Sequence, residues 1–298
     1  MKILVTGASS LPGYRLVKEV LERGHEVIAL HYSNPIPLEN ERLTKIKLDI
    51  RDINSLSDLI INKQPEVIVH MAALGNVDQC EQDHDLAWNV TAKPSIAIAS
   101  IAKKIGAFSL YLSTDYVFDG ISGGYRELDP PAPINYYGLV KLIGEIAFQS
   151  AGGECAIVRA SSIYGLGPGR MNFAKFLISK LQNNEEVRAL VDQYTTPTQA
   201  TLLAKALMEI IEERLTGIFH VTGERLSRYD FAIKVAEKLG FDKTLIKPAK
   251  MEEMKWIARR PKDSSLNCEE TRKKLKTVFH PINYALETLK KEYEEEKW

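Results

Sequence analysis

Tyr137 and Lys141 stand four residues apart in "NYYGLVK" (Asn135 to Lys141). On a helix this spacing puts both side chains on one face, about 5–6 Å apart at Cβ. An unperturbed phenol titrates near pH ~10, too high for efficient proton donation near neutrality. An ammonium beside it favours the phenolate and is expected to lower that pKa. Tyr136 has Val140 at the same offset and Gly144 beyond, so it gains no such cation. Upstream, "LYLSTDYVFDG" ends an apolar run with Ser113 and Thr114. A hydroxyl at the carboxyl end of a strand can hold a carbonyl oxygen while a tyrosine protonates it.

A second chemical feature is "TGASSLPG", which follows the first apolar run directly. Gly7 and Gly13 are the outer glycines of a turn that brings phosphate to backbone N–H groups at a helix start. Ser10 holds the middle position, where its hydroxyl can donate to phosphate. An acid at the end of the second strand usually binds the ribose 2′-hydroxyl of NAD. Here that end reads His31, Tyr32, Ser33. With no carboxylate to repel a 2′-phosphate, NADP is favoured and NAD is allowed. Asp49 is a candidate for the adenine amino group or for a helix cap, and Asp52 competes for the cap.

These residues need a frame. Apolar or β-branched runs bounded by Gly, Pro, Asn or Asp predict strands at 3–6, 26–30, 45–48, 67–70 and 108–112. Between them, 14–23, 53–62 and 86–104 carry apolar residues at helical spacing. A helix from about Asn135 and a strand at 156–159 continue the alternation. Such β-α-β order predicts an α/β fold, a Rossmann-type doubly wound parallel sheet. "YGLGPGR" reads as a breaker, followed by a helix at 173–182, a strand at 187–191, a helix at 198–213 and a strand at 217–223. Further helices are expected at 228–239 and 269–275, in a smaller C-terminal lobe. The expected division is 1–160 with 198–223 as the NAD(P)-binding domain, and 161–197 with 224–298 as the substrate lobe. The C-terminal "KKEYEEEK" reads as a solvated helix face.

Composition bounds the function. The 298 residues hold 39 basic and 39 acidic side chains, which gives no support to a nucleic-acid or anionic-membrane partner. No apolar run approaches the ~18–20 residues of a membrane span. The three cysteines, Cys80, Cys155 and Cys268, have neither disulfide nor zinc spacing, and a cytoplasmic setting fits them. His70 and the scattered acids show no metal-ligand spacing, so no metal is expected.

With these residues in place, the chain resembles the extended short-chain dehydrogenase/reductases, and within them the dTDP-4-dehydrorhamnose reductase family. The likeness runs through "VTGASSLPG", "HMAALGNVDQCEQD", "WNVTA", "STDYVFDG", "YRELDPPAPINYYGLVKLIGE", "VRASSIYG", Pro197–Thr198 and "RRPKDSSLN". It implies a catalytic set of Thr114, Tyr137 and Lys141 that reduces the C4 ketone of a dTDP-4-keto-6-deoxy sugar. It implies cofactor contacts from Gly7, Ser9, Ser10, Leu11, Gly13, His31, Asp49, Ile50, Ala72, Ala73 and Asn89, besides Tyr137 and Lys141. It implies substrate contacts from Thr114, Asp115, Phe173 and Arg260. Family reductases often carry Trp where this chain has Ser162, which bears on the substrate rather than the reaction. A homodimer is left open.

The segment "YRELDPPAPINYYGLVK" is also very close to that of the regulatory β subunit of methionine adenosyltransferase. That relative implies a different use of the same scaffold: a nucleotide-binding regulatory module without turnover. Other sugar-nucleotide chemistry, epimerisation or dehydration, stays open as well. A dehydratase would want a carboxylate pair at "STD", and only Asp115 is there.

Overall fold

A computed structural model describes residues 1–295. Its strands are β1 (Lys2–Thr6), β2 (Glu26–His31), β3 (Leu43–Lys47), β4 (Val67–His70), β5 (Phe108–Thr114), β6 (Cys155–Tyr164), β7 (Val187–Leu190), β8 (Tyr194–Thr195), β9 (Pro197–Gln199), β10 (Gly217–His220), β11 (Leu226–Ser227) and β12 (Ile246–Ala249). The helices are α1 (Leu11–Glu22), α2 (Ile53–Lys63), α3 (Val77–Gln82), α4 (His84–Ala87), α5 (Lys93–Ile105), α6 (Tyr136–Ser150), α7 (Phe173–Gln182), α8 (Ala200–Glu212), α9 (Arg228–Leu239), α10 (Glu269–Lys274) and α11 (Ile282–Glu295).

The main sheet is parallel, in the order β10-β6-β5-β4-β1-β2-β3, with β9 added to β6. The α/β, Rossmann-type expectation is therefore met, and the 217–223 segment returns to this sheet through β10. Alternation along β1 decides which helix layer each residue meets. Ile3 and Val5 join Leu16, Val17 and Val20 of α1 and Leu203 and Leu207 of α8. Leu4 faces the other way, onto Leu56 and Ile60 of α2 and Ile98 of α5. Each fully buried side chain of this kind contributes about 1.5–3 kcal/mol of transfer free energy. Strand order reverses between β1 and β4, so a crevice opens beyond their carboxyl ends. Two short pairings, β7 with β12 and β8 with β11, lie outside the main sheet.

Several boundaries differ from the sequence reading for identifiable reasons. The first helix begins at Leu11 rather than Tyr14, because Ser10 caps it through Gly13 N–H (3.2 Å) and Pro12 sits in the first turn. The expected single helix at 86–104 is α4, a π-turn at Trp88–Ala92 and α5. Pro94, in the first turn of α5, has no N–H for the preceding turn, and the backbone widens just before it. The strand expected at 156–159 continues to Tyr164, with an irregularity between Ser161 and Tyr164 where Ser162 takes φ +43°. Pro197 to Gln199 pair with it as β9, so α8 starts only at Ala200. The acidic C-terminal run is not a wholly solvated face. Glu292 is buried and accepts from Gln199 Nε2 (2.7 Å), Thr201 Oγ1 (2.6 Å) and Leu166 N–H (2.9 Å), with Arg15 3.4 Å away. Glu296 and Lys297 of that run lie outside the described residues.

Candidate active site

A cavity of about 710 Å³ fills the crevice, reaching from Ser10, Leu11 and Pro12 past Ala73 to Thr114, Tyr137 and Lys141. Its far wall comes from Phe173, Leu190, Gln193, Trp256 and Arg260. α6 delivers the tyrosine. Asn135 caps this helix, its Oδ1 accepting Gly138 N–H (2.9 Å), and donates its amide to Arg259 O (2.9 Å). At Gly138 any side chain would collide with the Tyr116 carbonyl, so glycine lets α6 lie against the turn after β5.

The two tyrosines separate cleanly. Tyr137 lines the cavity, whereas Tyr136 stacks on His84 with ring centres 3.8 Å apart and planes 9° apart. Thr114 lines the same cavity as Tyr137; its hydroxyl donates to Asp115 Oδ1 (3.1 Å) and accepts from Tyr116 N–H (3.2 Å). Lys141 Nζ donates to Leu112 O (2.6 Å) and lies 4.1 Å from the centre of the Tyr111 ring.

The pKa tuning differs from what the spacing implies. Burial pushes Tyr137 up to about 12, opposed by the neighbouring Thr114 hydroxyl and the charge of Arg170. Burial likewise pushes Lys141 down to about 7, with Glu145 opposing the shift. Both groups are buried, so desolvation dominates, and the ammonium is directed to Leu112 O rather than to the phenol. Below pH about 7 the lysine still supplies an ammonium; the phenol keeps its proton well beyond neutrality.

Asp115 borders the cavity, but its carboxylate is engaged elsewhere. It accepts from Ser264 Oγ (2.5 Å), Ser161 Oγ (2.8 Å) and Thr114 Oγ1 (3.1 Å), and burial raises its pKa. Arg260 lines the wall with its guanidinium on Asp78 (2.9 Å), whose carboxylate also takes Ala258 N–H (3.0 Å). Behind the site, Arg159 and Glu145 form a fully buried pair (2.7 Å), and Ser113 donates to Glu145 (2.5 Å).

A Cβ on Gly7 would stand 2.8 Å from Ala72 N, and one on Gly13 would overlap Gly7 O, so this turn is closed tightly enough for glycine alone. No acid occupies the first turn of α1, which leaves its positive end for an anion. At the end of β2, His31 Nδ1 is buried without a partner, a polar atom suited to a ligand hydroxyl or phosphate. Ser9 is half-buried in the turn. The groove fits a dinucleotide.

Other expected contacts sit at its margins. Asp49 is gripped by Arg51 Nε (3.0 and 2.9 Å), which holds it below the usual carboxylate range, and Asp52 is the cap of α2. Ile50 packs on the α2 side of the core. Asn89 lies on the π-turn and gives its amide to Asp85 O (2.8 Å). His70 is a neutral core residue between Thr6 (2.7 Å) and Ser95 (3.0 Å), lowered to about 3 by burial. Among the described residues no group of three His, Cys, Asp or Glu could hold a metal, and no helix is long and apolar enough to cross a membrane. The sequence reading passed over Arg170, which lines the cavity mouth. "YGLGPGR" reads locally as a break, although an arginine after three closely spaced glycines is its visible signal.

A doubly wound sheet, a tight glycine turn at the start of α1 and a tyrosine–lysine pair on the same cavity define an NAD(P)-dependent oxidoreductase. The RmlD substrate binding domain family matches residues 1–295, and the chain belongs to that family. It is 32% identical over 272 residues, 90% of each chain, to the probable low-salt glycan biosynthesis reductase Agl14 of Haloferax volcanii. The methionine adenosyltransferase 2 subunit beta of Pongo abelii is 29% identical over 277 residues, 90% of this chain and 81% of that one. The crystal structure of dTDP-4-dehydrorhamnose reductase from Bacillus anthracis strain Ames, in complex with NADP, aligns with a TM-score of 0.84 at 29% identity. That alignment covers 97% of this chain and 98% of that one.

Proposed function

We propose that this protein reduces the C4 ketone of a nucleotide sugar, with dTDP-4-dehydrorhamnose as substrate and dTDP-L-rhamnose as product. The observation that carries the reading is the convergence of Thr114, Tyr137 and Lys141 on one cavity that also reaches the glycine turn. NADPH, when bound, supplies the hydride. Thr114 Oγ1, turning its one proton from Asp115 to the substrate, donates to the carbonyl oxygen, and Tyr137 gives its phenolic proton to that oxygen as charge develops there. Lys141 holds the ribose hydroxyls and, as an ammonium, stabilises the phenolate left behind. His31 and the turn from Gly7 to Gly13 hold the nucleotide, with Ala72 and Ala73 beside it. Phe173 is assigned to the sugar and Arg260 to the substrate phosphates. Asp115 orients Thr114 from behind rather than donating a proton. The nucleotide unit is 1–160 with 198–223, and the remainder is the substrate lobe.

The test follows nicotinamide absorbance while NADPH is mixed with dTDP-4-keto-6-deoxy-L-mannose. The expected outcome is substrate-dependent oxidation; NADPH binding with no oxidation above background would favour the second reading. That second reading, a regulatory nucleotide-binding subunit, is favoured by the likeness to the methionine adenosyltransferase subunit. A cytoplasmic setting is supported by three unpaired cysteines. Homodimer formation is supported by the exposed Ile96 on α5 and Leu139 and Ile146 on α6.

The pH profile should report Lys141. Its folded pKa of about 7 means the ammonium is present below that pH and lost above it. Reduction therefore slows as pH rises through about 7, while Tyr137, near 12, keeps its proton throughout. A rate that stays flat from pH 6 to 9 would remove Lys141's charge from the reaction.

A further inference from the structure

Four guanidinium groups line the cavity: Arg170, Arg188, Arg228 and Arg260. Three of them are engaged. Arg188 is paired with Glu253, Arg228 donates to Gln193 Oε1 (2.7 Å), and Arg260 is held by Asp78 (2.9 Å). Among the described residues, Arg170 has no hydrogen-bond or ion-pair partner, and it is exposed at the mouth.

Its place is set by its own backbone. Gly169 has φ +91° and lies so close to α1 that a Cβ would stand 2.8 Å from Leu11 N and 3.2 Å from Ser10 Cα. The segment before Arg170 therefore rests on the positive end of α1. From there the side chain spans the groove to the loop after β4, with Nη1 3.5 Å and Cζ 3.6 Å from where a Gly75 Cβ would be. These are van der Waals distances, which place the guanidinium directly against the Gly75 backbone. An unpaired cation across a helix N-terminus adds a second positive element to the one that α1 supplies, and bidentate guanidinium geometry suits phosphate oxygens.

We propose that Arg170 is a strap over the dinucleotide groove whose guanidinium pairs with the diphosphate of the bound cofactor. A diphosphate also occurs in a nucleotide-sugar substrate; the contact of Gly169 with Ser10 and Leu11 favours the cofactor's. The proposal rests on the nucleotide-binding part of the reading above and is tested without turnover, so failure of the reductase reading leaves it intact.

The experiment measures NADPH affinity by fluorescence and dTDP affinity by calorimetry, for the intact chain and for Arg170→Ala and Arg170→Lys. Charge-assisted hydrogen bonds of this kind predict an NADPH Kd raised about 10- to 100-fold in Arg170→Ala. Arg170→Lys should recover part of the loss. The dependence of NADPH affinity on salt should weaken in Arg170→Ala, and dTDP affinity should stay within about 2-fold. An unchanged NADPH Kd would overturn the proposal. A loss confined to dTDP would overturn it too, by moving the cation to the substrate. Because Arg170 is exposed and makes no internal bond, an unchanged melting temperature is expected as the control for folding.

Discussion

Replacing Tyr137 with Phe is expected to lower the rate of reduction by about 10²-fold or more, the usual scale for a lost general acid. The ring is kept, so the cavity wall and NADPH binding should persist while the proton source is removed. Thr114 cannot take over, since its hydroxyl is an alcohol already tied to Asp115 and to Tyr116 N–H. Tyr136→Phe is the matched control. That side chain stacks on His84 away from the cavity, and its loss of a hydroxyl should cost less than about 3-fold on the same principle. Steady-state kcat for the two variants decides the assignment, and equal losses would reject it.

The second large effect concerns stability. Arg159→Met should destabilise the fold by about 3–5 kcal/mol, because it strands Glu145 as a buried, uncompensated charge. Both side chains are only 2% accessible. Arg159 also donates to Glu127 O (3.0 Å), which would lose its donor. Against a total stability of about 5–15 kcal/mol this leaves a marginal protein. Because Glu145 receives Ser113 next to Thr114, the same change should loosen the active end of β5 before the chain unfolds. Denaturant midpoints check the size of the effect. The pair Arg159→Met with Glu145→Leu should recover much of the loss, since neither charge is then left alone. A single-variant loss below about 1 kcal/mol would contradict this account of the pair.

How much of this could be read from the sequence depended on range. Strands such as Val67 to His70 and the helix at 173–182 were legible because their signals are local: β-branched runs, or apolar spacing ended by polar residues. The choice of Tyr137 over Tyr136 was legible for the same reason, since a four-residue offset fixes which side chains share a face. What the offset could not give was direction. Lys141 turns to Leu112 O and the Tyr111 ring, partners 29 and 30 residues away, and burial then sets both pKa values. Asp115 reads as a cavity acid until Ser264, 149 residues on, is seen to hold it. Glu292 reads as solvated until α11 packs beside Arg15 and Gln199. Arg170 escaped because its meaning comes from Gly169 resting on α1, a contact that no window of neighbouring residues contains.

The central claim is that hydride reaches C4 of a nucleotide sugar in the cavity where Tyr137 gives the proton. The direct measurement is transfer of deuterium from NADPH labelled at nicotinamide C4 to the product of dTDP-4-dehydrorhamnose, followed by mass spectrometry. The account predicts a product one deuterium heavier, labelled at sugar C4, from the intact chain and almost none from Tyr137→Phe. Tight NADPH binding with no labelled sugar from the intact chain would contradict it, and would leave the scaffold as a nucleotide-binding module.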